Sequence, residues 1–126
     1  MGYRSEVVLV VGKEVMPQFM VTMAKSPDAR SLCFAEATRH EDYEEKGNML
    51  FAWDCIKWYD SYEGVAAIQD FLDWCDSEDV PSQDAKGERV DGDECYRFVR
   101  IGEEVEDIEE RGSGFWDVGV RRSIEF

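Results

Sequence analysis

The sequence predicts an α+β fold: a two-layer sandwich in which a mostly antiparallel sheet carries helices on one face. Three observations predict it. Glu6-Val7-Val8-Leu9-Val10-Val11 is apolar at both strand parities, as a central strand needs. Residues 61–76 carry an apolar stripe at helical spacing. The order strand, helices, strand or hairpin, helix, strand, strand alternates without repeating one βαβ unit. A ferredoxin-like arrangement is one candidate. A chain of 126 residues with 44% hydrophobic and 13% aromatic residues is long enough to bury a core as one domain spanning 1–126.

The elements follow in order. Gly12 ends the first strand, and Pro17 opens a helix with Phe19, Met20 and Met23 at helical spacing. Ser26-Pro27-Asp28 reads as cap, proline and acid at a second helix start, with Leu32, Cys33 and Ala37 facing inward. Residues 40–48 are polar and end in Gly47-Asn48, a turn signal. Residues 49–59 are strand-like, but the apolar phase changes at Asp54, so a bulge or a tight connection sits there. Asp60 and Glu63 match a capping box for the helix 61–76, whose stripe is Val65, Ile68, Leu72 and Cys75.

Residues 77–94 hold almost nothing to bury and read as a polar, mobile loop. Residues 95–101 form a strand, and 102–114 an acidic turn or short helix. The last strand, 115–126, alternates, with Trp116, Val118, Val120, Ile124 and Phe126 on one face.

The function is constrained by charge. The chain holds 29 Asp and Glu against 14 Lys and Arg, for a net charge of −15. Residues 1–40 are nearly balanced, with Arg4, Lys13, Lys25, Arg30 and Arg39 against Glu6, Glu14, Asp28 and Glu36, so the excess lies beyond residue 40. Such a field repels nucleic acid and anionic membrane and attracts basic surfaces. The four cysteines, Cys33, Cys55, Cys75 and Cys95, form no C-x-x-C pair and read as small core side chains in a reducing cytosol. His40, the sole histidine, lies in a solvated turn with Glu41 and Asp42. Asp91-Gly92-Asp93-Glu94 is only a fragment of a calcium loop. No metal, cofactor or catalytic motif is expected, and the chain reads as a non-enzyme. Val7–Val11 is too short to cross a bilayer, and Glu6 breaks a myristoylation signal at Gly2.

Two sets of residues are candidates for partner binding. On the helix 61–76, Glu63, Asp70 and Asp73 lie opposite the apolar stripe, and Trp74 projects between the two aspartates. An indole ringed by carboxylates suits a hot spot for a basic partner, unless it folds back over the sheet edge. The second set is the densest acidic run, Glu103, Glu104, Glu106, Asp107, Glu109 and Glu110. It reads either as a solvated face or as carboxylates standing in for DNA phosphates.

Several stretches resemble a family of small, uncharacterised proteins of tailed bacteriophages and prophages: Met1-Gly2-Tyr3-Arg4-Ser5-Glu6-Val7, Lys57-Trp58-Tyr59-Asp60-Ser61-Tyr62, Tyr96 to Glu104 with Asp107-Ile108-Glu109, and Arg121-Arg122-Ser123-Ile124. They cover about a quarter of the chain. The family offers no catalytic motif. The resemblance implies a viral protein in the host bacterial cytoplasm, where small acidic phage proteins often inhibit anti-phage defence. The leading expectation is an anti-CRISPR or anti-restriction inhibitor that acts as a DNA mimic. It would bind the basic surface of a host nucleic-acid-binding complex, with no direct nucleic acid binding and no membrane. The alternatives are a phage accessory or assembly protein, a homodimer through its last strand, and a small nucleotide-acting enzyme. The enzyme would need Arg97, Arg100, Arg121 and Arg122 gathered in one basic pocket.

Overall fold

A computed structural model describes residues 2–84, 86–115 and 118–119. In chain order the elements are β1 (Ser5–Val11), α1 (Met16–Lys25), α2 (Pro27–Phe34), β2 (Arg39–Tyr43), β3 (Glu45–Ile56), α3 (Glu63–Ser77), β4 (Asp79–Pro81), β5 (Arg89–Asp91), a 3₁₀ turn (Gly92–Cys95), β6 (Tyr96–Ile101) and β7 (Ile108–Arg111). Among the described residues, one sheet has the order β2-β3-β1-β6-β7, with every neighbouring pair antiparallel. The α+β expectation holds, and the path through β1, β2, β3 and β6 is the ferredoxin-like one, extended by β7.

Both faces of β1 are covered, as its composition predicts. Val7, Leu9 and Val11 point into the main core, and Val10 is fully buried on the other side, opposite Leu50. Across the helix-facing side, Leu9 lies between Phe51 of β3 and Phe98 of β6. Phe19 of α1 joins the layers, its ring centroid 5.4 Å from that of Phe51 and 5.3 Å from that of Phe71 on α3. The indole of Trp53 donates to the Leu32 carbonyl at 2.9 Å, which fastens β3 to α2 without leaving a buried donor unpaired.

The helix starts are legible in part. The Ser26 hydroxyl accepts from the Ala29 amide at 3.1 Å, so this cap forms as read. The capping box at Asp60 does not form: residues 59–62 make a turn in which the Tyr62 amide donates to the Tyr59 carbonyl, so α3 begins only at Glu63, with Tyr62 at its N-cap and no side-chain cap. Met20 faces outward at 48% exposure, while Phe19 and Met23 are buried.

Other corrections concern chain reversals and edges. Residues 40–43 are strand rather than turn, and the reversal sits at Glu44, with φ of 60°. Gly47, at φ of 102°, marks a bulge, because Asp42 pairs with Met49 while Tyr43 pairs with Glu45. The phase change at Asp54 is also a bulge: Val7 pairs with Trp53 but Ser5 with Ile56. Residues 77–94 are not a structureless loop. β4 and β5 pair as a hairpin, with Val80 buried opposite Val90. Residues 108–111 form an edge strand where an acidic turn or short helix is expected, because Arg100 can pair across to Glu109 and Ile101 to Ile108. Cys33, Cys75 and Cys95 are buried and their thiols pushed up to about 12 by desolvation, but Cys55, at the bulge, is exposed. The expected last strand falls largely outside the described residues.

Phe19→Ala should cost about 3–5 kcal/mol, the usual range for removing a buried aromatic side chain. Met20→Ala should stay within about 0.5 kcal/mol. Urea unfolding of the two variants checks which side of α1 faces the core; equal losses would contradict this packing.

Candidate functional site

The two acidic segments meet because β7 pairs with β6 beside α3. Arg111 lies opposite Phe98 and so shares the helix-facing side of the sheet. Its guanidinium donates to Gln69 at 2.7 Å, to Asp73 at 2.8 Å and to Asp76 at 2.8 Å. The Tyr96 hydroxyl also donates to Asp76, at 2.6 Å. Partial burial pushes the Asp76 carboxyl up, but these donors outweigh it and hold it below its ordinary value. One turn earlier, Asp60, Ala66, Gln69 and Asp70 line a shallow depression with Glu109 of β7.

The β6–β7 turn is held from behind. The register that sets Glu6 opposite Ile101 carries Tyr3 to the turn beyond β6. The Tyr3 hydroxyl donates to Asp107 at 2.6 Å and accepts from the Glu104 amide at 3.1 Å. Arg100 grips the same carboxylate through both oxygens, at 2.7 and 3.1 Å, and reaches Glu109 at 3.3 Å and the Ser5 hydroxyl at 3.1 Å. Arg100 and Tyr3 together hold the Asp107 carboxyl down to about 2. Gly102 lies under this network, where any β-carbon would collide with the Asp107 carboxylate and the Tyr3 hydroxyl. Glu103, Glu104 and Glu106 are left exposed, with Val105 at 72% exposure among them.

The candidate residues therefore divide. Asp70 and Glu109 share the depression; Asp73 sits beside it, paired to Arg111; Glu103, Glu104 and Glu106 form the turn. Asp107 and Glu109 are engaged by Arg100. Glu110 alternates to the far side of β7, where Arg97 binds it at 2.9 Å. Glu63 lines a separate cavity beside Arg4. Trp74 is not an exposed anchor: it is half-buried, stacked on Phe71 at 6.5 Å and packed against the core. Asp60, which the sequence marks only as a helix cap, and Asp76, which it does not mark, also belong with the acidic face.

Arg97 and Arg100 do not open onto a basic pocket. Arg97 donates to the carbonyls of Gly112 and Val118 and to Glu110, and Arg100 is spent on Asp107, Glu109 and Ser5. Arg121 and Arg122 lie outside the described residues. Among the described residues, no helix is long and apolar enough to cross a membrane. No family model, curated protein or solved structure matches the chain.

Asp107 titrates lower in the folded chain than its ordinary 3.8, so its contribution is full above that value and is lost as pH falls toward about 2. Wild type should therefore lose more stability than Asp107→Asn across that window, read as urea midpoints at successive pH values. Parallel curves would show that the grip on Asp107 does not contribute to folding.

Proposed function

We propose that the protein is a phage-encoded, non-enzymatic inhibitor of a bacterial defence complex, of the anti-CRISPR or anti-restriction kind. It occupies the basic surface with which that complex contacts nucleic acid, in the host cytoplasm, and excludes DNA by mimicking its charge. The observation that carries this reading is the shared depression of Asp60, Asp70 and Glu109, which joins the acids of α3 to those of β7. The exposed carboxylates of Glu103, Glu104 and Glu106 extend the charge from the β6–β7 turn.

Several physical features support it. Charges of one sign on a protein surface steer an oppositely charged partner and raise its on-rate. Carboxylates fixed by Arg100 and Arg111 lose less side-chain freedom on docking than free ones would. Because those arginines also cancel part of the field, the charge offered to a partner rests on Asp70, Glu104 and Glu106, which form no ion pair among the described residues.

The test is capture from bacterial lysate with the tagged protein. A nucleic-acid-guided or DNA-cleaving complex should be retained at low salt, displaced by duplex DNA and released at high salt, since exposed pairs are screened beyond roughly 10 Å at 0.1 M ionic strength. Replacing Asp70, Glu104 and Glu106 together by lysine should abolish retention with the fold intact by circular dichroism. Retention indifferent to both salt and charge reversal would exclude mimicry by this face.

A further inference from the structure

A second region holds charges of both signs that do not meet. An open cavity of about 640 Å³ lies between α2, the end of β3 and the start of α3. Its construction follows from the sheet register. Ser5 pairs with Ile56, so Arg4 and Lys57 leave the sheet side by side and supply two cations to the lining. Asp28 and Glu36, from α2 and the residues just after it, supply carboxylates. One end is closed by a tight helix contact: a β-carbon on Gly64 would lie 3.0 Å from the Asp28 carbonyl oxygen. Leu32, Ile56 and Val65 add apolar side chains to the lining.

Elsewhere Lys13, Arg39, Arg97, Arg100 and Arg111 each find a carboxylate, while among the described residues Lys25, Arg30, Lys46, Lys86 and Arg89 form no ion pair and line no cavity with opposite charges. Among the described residues, Arg4, Lys57, Asp28 and Glu36 form no ion pair, although they line one cavity.

We infer that this cavity binds a small zwitterion, a free amino acid or short apolar peptide, with its carboxylate toward Arg4 and Lys57 and its ammonium toward Asp28 and Glu36. The apolar side chain would lie over Leu32 and Ile56. The volume is in the range of ordinary ligand sites, about 300–1,000 Å³. A polyphosphate would face Asp28, Glu36 and Glu63, and a polyamine would face Arg4 and Lys57, so each meets repulsion that a zwitterion escapes. This site is independent of the acidic face on β7.

The test uses the full chain, labelled with ¹⁵N, and dileucine as the probe. Saturable shifts should appear at the amides of Leu32, Ile56, Lys57 and Gly64. N-acetyl-dileucine and dileucine amide should each bind about tenfold more weakly, as expected for the loss of one charged hydrogen bond. Replacing Arg4 and Lys57 by alanine should remove the preference for a free carboxylate and spare that for a free ammonium. Asp28→Asn with Glu36→Gln should do the converse. Unchanged spectra outside the cavity confirm the fold of each variant. No saturable shift at these amides, or equal binding of all three peptides, would overturn the inference.

Discussion

The structure depends on the pairing of β1 with β3 on one side and β6 on the other. A strand buried on both faces tolerates no slip, because a one-residue shift would exchange Val7, Leu9 and Val11 for Glu6, Val8 and Val10 on the core side. That register positions everything that follows. It sets Phe51, Leu9 and Phe98 in one row beneath Phe19 and Phe71. At one end it projects Tyr3 onto the β6–β7 turn and Arg4 beside Lys57. At the other, Gly12 follows β1 against the Cys95 carbonyl, to which its amide donates at 2.8 Å, and no larger residue fits there.

Electrostatics then sorts the acids into two groups. Arg97, Arg100 and Arg111 lie on β6 and β7, and their half-buried guanidinium groups engage Glu110, Asp107, Glu109, Asp73 and Asp76. Without those cations, a chain with net charge −15 would concentrate its self-repulsion at the β7 edge. The engaged carboxylates thus stabilise an edge strand and its packing on α3. The unengaged ones, at Asp70 and along the turn, set the outward field. Composition alone cannot make this division, since every one of these residues is simply an acid in the sequence.

Where burial dictates the residue pattern, the fold is legible from sequence. The two-sided apolarity of Val7–Val11 identifies the central strand, the stripe from Val65 to Cys75 identifies α3, and Ser26-Pro27-Asp28 identifies the start of α2. Short elements stabilised by single contacts escape notice. β4 and β5 bury little beyond Val80, and β7 exists because its charges complement those of β6 rather than because of apolar alternation. For the candidate site, the sequence marks both acidic segments but not that Asp70 and Glu109 meet. Trp74 shows why a helical wheel is insufficient: its direction on α3 is polar, yet stacking on Phe71 draws the indole back against the core.

The same charges protect the sheet's outer strands. Among the described residues those are β2, which reads Arg39-His40-Glu41-Asp42-Tyr43, and β7, which reads Ile108-Glu109-Glu110-Arg111. An exposed strand edge invites another chain to add to the sheet, and charged side chains on it oppose that. Two copies meeting antiparallel at β7 would bring a carboxylate of Glu109 or Glu110 opposite a carboxylate of the other copy, with Arg97 and Arg100 already committed within each chain. Like carboxylates directly opposite one another are destabilising. A basic surface meets no such opposition, since it can approach Asp70 and Glu104 without breaking an ion pair. The carboxylates that oppose self-pairing at β7 are thus the ones held by Arg97 and Arg100, whereas Asp70 and Glu104, which set the outward field, stand apart from the strand edge.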